Sequence, residues 1–466
     1  MKKRIIALLC LLVMAISLVA TGCQGKVVAY KRGTPLPVNK INFRGLEEDE
    51  FYISGYIGPQ DFYAAVGYSL PSLITDESYA ELAEAGINYI IEQRMDVDGE
   101  EAQRAMELAA KYDINYFIKV NSVLKTEVTD INDAYIAPKE DVKAKMEELL
   151  QNPGFGGVYY RDEPTSNLFP MLDQAVDVLY EVREELGQTD LNCMINAFPG
   201  VSWRQLSAGT DPEMNWTKYI TAICEMGIDY LSWDAYPFTN VPGEVQASWL
   251  NTLGTLNEFG DRYNLPLVGN IQCGGGEAMF STSHRVVNEA EMHWNVGTML
   301  AYGFKGLVYY TLVTPPEAAL KGEQYVNTDS ILNKYGSKTP FWHYAKNINT
   351  QVQAMAPVLL NAAQEGVMLD NNDSPNVYTG NDILDSYRCF KGWSGDSALI
   401  GCFDYEGTVA LVVVNNSLDN HHAVVTLEFD NNYEYEVTQR AQKDKISGKE
   451  FSLHLEAGEF ALVVVQ

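Results

Sequence analysis

The residues best suited to chemistry are two adjacent acids, Asp162 and Glu163, in the stretch Gly157-Val158-Tyr159-Tyr160-Arg161-Asp162-Glu163-Pro164. A carboxyl group held out of water beside a second carboxylate has a raised pKa. A general acid working near neutral pH needs that property. Asp234 and Glu277 are the candidates for a partner carboxylate. The competing reading of the pair is a strand ending in solvated acids beside Arg161. Position in the fold decides between the two.

The elements that would position these residues repeat regularly. Short β-rich runs occupy 51–57, 87–93, 115–121, 156–163, 192–198, 228–236, 266–272 and 306–312. Helical patterns lie between most of them, at 76–85 (with Asp76 as a candidate N-cap), 99–111, 139–150, 172–186 and 288–302. Runs such as INYFIKV and GLVYYTL do not alternate, as expected for parallel strands buried on both faces. Eight strand–helix units predict a (β/α)8 TIM barrel, with a doubly wound open sheet as the rival. After Leu360 the helical periodicity stops. Strand-like runs at 397–403, 408–415, 423–429, 433–438, 451–455 and 460–465 predict a C-terminal antiparallel β-sandwich.

In a barrel, reactive groups sit at the C-terminal ends of the strands. That rule collects Tyr56, Glu92, Arg94, Lys119, Asn121, Arg161, Asp162, Glu163, Asn196, Trp233, Asp234, Tyr236, Gln272, Tyr309, Tyr310 and Thr311 on one rim. The rim is acidic, amide-bearing and aromatic, which suits a sugar. Asp162, Glu92, Asn121, Asn196 and Gln272 would hold hydroxyls, and Trp233 and Tyr236 would stack on ring faces. Neighbours on an extended strand point to opposite sides, so only one of Asp162 and Glu163 is expected to face the barrel axis. No Gly-rich phosphate loop follows a strand, which disfavours nucleotides.

The 466 residues carry 33 Lys+Arg against 62 Asp+Glu, a net charge of −29. That balance argues against a nucleic-acid or anionic-lipid partner and leaves a neutral one, such as carbohydrate. Lys2, Lys3 and Arg4 precede an apolar run from Ile5 to Val19 that ends at Ala20-Thr21-Gly22-Cys23. This pattern resembles a bacterial lipoprotein signal at 1–22, with Cys23 lipidated and the membrane touched only through that anchor. Residues 23–50 read as the lipidated cysteine and a tether, 51–360 as the barrel and 361–466 as the sandwich. The remaining cysteines, Cys193, Cys224, Cys273, Cys389 and Cys402, have no metal spacing or disulfide framework, though Cys389 and Cys402 could face each other across a hairpin. The histidines form no cluster. No metal and no cofactor are expected.

The segments VYYRDEP (158–164), IDYLSWDAYPF (228–238), LVGNIQC (267–273) and EMHWNVGTMLAYGFKGLVYYT (291–311) carry a resemblance over roughly residues 50–350. The chain resembles the clan of (β/α)8 glycoside hydrolases with an acid/base Glu at the end of strand four, and within it the β-galactosidase-like group with D-E-P there. The resemblance implies that Glu163 is the acid/base. It also implies a nucleophilic Glu at the end of strand seven, where this chain has Asn270-Ile271-Gln272-Cys273 instead. Asp234 and Glu277 are therefore equal candidates for the second carboxylate. A retaining pair lies roughly 5–5.5 Å apart and an inverting pair roughly 6.5–9.5 Å. The expected function is a cell-surface glycoside hydrolase acting on an oligo- or polysaccharide. The alternative is a catalytically inactive carbohydrate-binding lipoprotein.

Overall fold

A computed structural model of the chain describes residues 39–61, 72–239, 245–246, 248–274, 284–314, 330–370 and 383–466. The signal segment 1–22, Cys23 and Glu277 lie outside the described residues.

Eight parallel strands close into a barrel: β1 (Tyr52–Tyr56), β2 (Tyr89–Asp96), β3 (Asn115–Lys119), β4 (Phe155–Asp162), β5 (Asn192–Ala197), β6 (Leu231–Trp233), β7 (Leu267–Gln272) and β8 (Gly306–Tyr310). Each strand pairs with its neighbours in sequence, and β8 closes on β1 through Tyr52 to Gly306 and Gly55 to Tyr309. Closure excludes the open doubly wound sheet. Each strand is followed by a principal helix: α1 (Asp76–Glu84), α2 (Glu100–Ala109), α3 (Lys139–Leu149), α4 (Phe169–Leu186), α5 (Trp216–Cys224), α6 (Trp249–Tyr263), α7 (Glu289–Ala301) and α8 (Pro340–Leu359). The N-cap of α1 is Thr75 rather than the expected Asp76. Thr75 has an extended backbone, and its side chain accepts from the Ser78 amide. Asp76 falls in the first turn, where its charge still complements the helix dipole.

The expected tether at 23–50 is corrected in its described part. Phe43, only 3% exposed, sits beneath the barrel with its ring 4.7 Å from those of Tyr52 and Tyr230 and 5.3 Å from Phe117. Arg44 donates to the Leu150 carbonyl at 2.9 Å, and Asn192 Nδ2 donates to the Asn42 carbonyl at 2.9 Å. One aromatic residue in a polar stretch thus makes 39–50 a plug across the N-terminal ends of the strands.

Beyond α8 the chain forms one seven-stranded antiparallel sheet: β9 (Ala362–Leu369), β10 (Phe390–Gly395), β11 (Ala398–Tyr405), β12 (Thr408–Asn415), β13 (Ala423–Gln439), β14 (Gln442–Leu455) and β15 (Phe460–Val465). The runs expected at 423–429 and 433–438 are a single strand, β13, with a register shift between Glu428 and Tyr433. Such a bulge bends a strand without ending it. One face encloses its own core, including Ile400, Leu411, Phe429, Tyr435 and Phe451. The other face, through Val412, Val414, Phe460, Leu462 and Val464, continues the barrel core. Cys389 and Cys402 do not pair; both are free thiols.

The sheet rests on α7. A Cβ at Gly297 would lie 3.1 Å from Phe460 and Val414, and a Cβ at Gly401 would collide with the backbone of Ala301. Trp294 Nε1 donates to Asn416 Oδ1 at 3.0 Å across the same junction. The Lys305 ammonium side chain is buried between the carbonyls of Leu359 and Ala362, where the barrel's last helix passes into the sheet. Burial lowers its pKa to about 7, so a neutral amine can donate to both carbonyls. Gly401→Ala should push the sheet off α7 and lower stability by about 1–3 kcal/mol, read by urea unfolding. An unchanged midpoint would contradict this packing.

Candidate active site

The site is built where β4, β5 and β6 end. Asp162 closes β4 and pairs in register with Asn196 on β5. A register shift between Tyr159 and Arg161 interrupts the regular alternation of β4. Glu163 then takes a left-handed backbone, φ +46°, while its amide still donates to the Asn196 carbonyl at 2.9 Å. A non-glycine residue held there stores strain of about 1–3 kcal/mol, a feature that clusters at functional sites. The consequence corrects the expectation that only one acid turns inward. The bulge and the left-handed turn re-aim the chain, and Asp162 and Glu163 both act on Asp234 at the end of β6.

Asp162 is held by a polar network that crosses five strands. Its Oδ1 accepts from Asn196 Nδ2 at 3.0 Å and from Tyr56 Oη at 3.1 Å. The Asn196 amide oxygen accepts in turn from Ser232 Oγ at 2.8 Å and Asn270 Nδ2 at 3.1 Å. Asn196 is fully buried, so it orients Asp162 and does not itself meet a ligand. Ser232 and Asn270 were not singled out from sequence. Their signal was present, as polar residues inside strands that are otherwise buried.

Glu163 and Asp234 lie near enough that each acts on the protonation of the other. Burial, then the Asp162 charge, pushes Glu163 up to about 7. Burial, then the charges of Glu163 and Asp162, holds Asp234 well above the usual carboxylate range. Two carboxyl groups this near cannot both ionise cheaply, so the pair retains a proton near neutral pH. Asp234 is 7% exposed, and its Oδ1 has no hydrogen-bond partner among the described residues. Tyr236 and Tyr310, both half-buried, flank the acids with ring centroids 5.7 Å apart, and the Tyr56 ring lies 6.0 Å from Tyr310.

Several rim residues do something other than expected. The Trp233 ring is 1% exposed and packs 5.6 Å from Trp249 on α6, so it is core and not a sugar platform. Gln272 is fully buried. Its oxygen accepts from the Phe238 amide at 3.0 Å, and its nitrogen donates to the carbonyls of Phe238 and Arg285 at 3.1 and 3.0 Å. It braces the chain after β6 and has no amide donor left for a hydroxyl. Glu92 is also fully buried, accepting from Gln60 Nε2 at 2.6 Å and from the amides of Arg94 and Met95 at 2.6 and 3.3 Å. It ties down the turn after β2. Asn121 stays half-buried on the rim, its backbone amide bonded to Asp96 at 3.0 Å. Glu291, with Asn288, forms the capping box of α7.

A carboxyl group whose pKa is raised by folding binds its proton more tightly in the folded chain. Its stabilising effect is present below the unfolded value and is lost as pH rises through the folded one. For Glu163 the window runs from the ordinary carboxylate range up to about 7. The melting temperature should therefore be higher near pH 5 than near pH 8 by more in the native chain than in Glu163→Gln. An equal difference in both proteins, measured by calorimetry, would contradict the buried pair.

No protein-family model matches the chain, and no curated protein matches it in sequence. Solved structures match in fold. A family 5 glycoside hydrolase from Bacteroides vulgatus superposes with a TM-score of 0.50 at 9% identity, over 93% of this chain and 95% of that one. A GH30 endoxylanase from Clostridium papyrosolvens gives 0.43 at 10% identity, over 92% and 99%. A β-galactosidase from a psychrophilic Marinomonas gives 0.45 at 9% identity over 67% of this chain, which spans 62% of that enzyme's length. The fold described above is thus one that the Bacteroides vulgatus family 5 enzyme shares.

Proposed function

We propose that the chain is a glycoside hydrolase in which Glu163 and Asp234 are the working carboxyl pair. The observation that carries this reading is the position of these two acids at the ends of β4 and β6 of a closed barrel, beside Asp162, where burial and their mutual influence hold both above the ordinary carboxylate range. The fold shared with the Bacteroides vulgatus family 5 enzyme supports it.

A glycosidic oxygen enters beside the two groups, which hold one proton between them. Glu163 then gives its proton to that oxygen as the C1–O bond breaks. Asp234 supplies an oxygen to C1. Water subsequently attacks C1, returning a proton to Glu163 and releasing Asp234 as carboxylate. Tyr236 and Tyr310 offer ring faces to the sugar. Asp162, held by Asn196 and Tyr56, keeps the proton on the pair by its charge.

One observation favours a second reading, an inactive carbohydrate binder. Strand seven ends in Gln272, which is engaged by backbone groups, and not in a nucleophilic carboxylate. In either case we propose export and anchoring through Cys23, supported by the basic, apolar and small-residue order of 2–23.

Membrane fractions of expressing cells should be assayed against 2,4-dinitrophenyl glycosides, alkyl glycosides and neutral oligosaccharides. Glu163→Gln should lose about 10²–10⁴-fold on alkyl and oligosaccharide substrates and much less on dinitrophenyl ones, which need no proton. Asp234→Asn should lose activity on both. Cys23→Ser should empty the membrane fraction of activity. Full activity in both acid variants would overturn the assignment. Sugar binding without turnover in the native chain would favour the second reading.

A further inference from the structure

Between β3 and α3 the chain leaves the barrel rim at 120–138 and returns through a short antiparallel pair, Leu124 with Ile136 and Lys125 with Tyr135. This excursion meets β4 through two consecutive residues. Thr126, 1% exposed, donates from Oγ1 to the Tyr160 carbonyl at 2.9 Å. Glu127 Oε1 accepts from Arg161 Nη1 at 3.3 Å. Residues 160 and 161 lead directly into Asp162 and Glu163.

The Arg161–Glu127 pair is poorly built for stability. It is a single contact, although a guanidinium and a carboxylate can pair through two. Arg161 Nε and Glu127 Oε2 are both buried with no hydrogen-bond partner among the described residues. The two side chains are otherwise partly open, at 22% and 29%, and ion pairs near solvent contribute little. A pair that leaves buried polar atoms unanswered calls for another explanation.

That explanation lies in where the guanidinium would otherwise go. Arg161 adjoins Asp162, and its charge acts on both Asp162 and Glu163. Asp162 takes its hydrogen bonds from Asn196 and Tyr56 on Oδ1, and its Oδ2 takes none from the described residues. A guanidinium seated on Oδ2 would cancel the charge beside Glu163, which would then give up its proton at lower pH. The tyrosines facing the acids are Tyr56 from β1, Tyr159 from β4, Tyr219 from α5, Tyr236 after β6 and Tyr310 from β8. Burial raises all five, so they stay neutral. Arg94, from β2, acts on Glu92 and Tyr310 and is not among the charges acting on Glu163.

We propose that Glu127 is a positioning residue for the acid pair. It ties the Arg161 guanidinium to the rim excursion and keeps it off Asp162, whose charge then stays unanswered beside Glu163. This role rests on Glu163 being the acid of the proposed hydrolase. It acts through Arg161, so Glu127 itself meets neither substrate nor the transferred proton.

The test follows the Glu163 carboxyl by ¹³C NMR in the full chain, alongside the pH profile of kcat/KM on an alkyl glycoside. In Glu127→Gln the Glu163 titration should move down by roughly one pH unit, and the basic limb of kcat/KM should move with it. Arg161→Met should move both up. Adding Glu127→Gln to Arg161→Met should change the titration little, because the group that Glu127 positions is gone. Calorimetry checks folding, and Glu127→Ser or Arg161→Gln replaces a variant that unfolds. A Glu163 titration unmoved in Glu127→Gln overturns the proposal. So does an equal downward movement without Arg161, which would mean that Glu127 acts directly. If the native chain cleaves no glycoside, the reading of Glu163 as an acid fails, while the titration still decides the role of Glu127.

Discussion

Three carboxyl groups crowded where water is scarce are the constraint on which the rest of the site depends. Two unit charges 4 Å apart repel by about 4 kcal/mol at an effective dielectric of 20. The fold tolerates Asp162, Glu163 and Asp234 together only by leaving a proton among them and by giving Asp162 fixed donors. Those donors come from far apart in the chain. Tyr56 is on β1 and Asn196 on β5, and Asn196 is itself held by Ser232 on β6 and Asn270 on β7. Only a closed barrel brings five strand ends to one network. Phe43 fills the barrel floor below, and the sheet covers α7 and α8 from the side.

The same constraint explains what each neighbour contributes. The left-handed turn at Glu163 costs backbone strain, yet it lets two consecutive residues serve one site. Gln272 and Glu92 do not touch the acids. They fasten the segments after β6 and β2 that frame them. The aromatic rim divides cleanly. Tyr236 and Tyr310 remain partly open, whereas Trp233 turns outward into the helix layer.

Much of this was legible from residue order alone, and the failures have physical causes. The eight β-rich runs are legible because parallel strands buried on both faces read as apolar blocks. Glu163 and Asp234 are legible because a strand-end rule needs no side-chain direction. Trp233 and Gln272 are misread for the converse reason. Whether a strand-end side chain points to the axis or to the helices depends on register and local bulges, which sequence spacing does not fix. The helices α5, α6 and α8 carry an apolar stripe at least as clear as those of α1, α3 and α7, so their residue pattern does not hide them, whereas β10 is short and largely exposed and lacks a buried apolar run. Phe43 is the one aromatic residue in the polar stretch 39–50, and its partners on the barrel floor come from β1, β3 and the segment before β6.

The central claim is that Glu163 and Asp234 share a proton under the influence of Asp162. Carboxyl ¹³C NMR of the full chain across pH 3–10 tests it most directly, with resonances assigned through Glu163→Gln and Asp234→Asn. The account predicts two coupled steps, the Glu163 signal titrating near 7, Asp234 above the ordinary range, and Glu163 moving down in Asp162→Asn. Independent titration of both groups at ordinary carboxylate values, unmoved by Asp162→Asn, would contradict it.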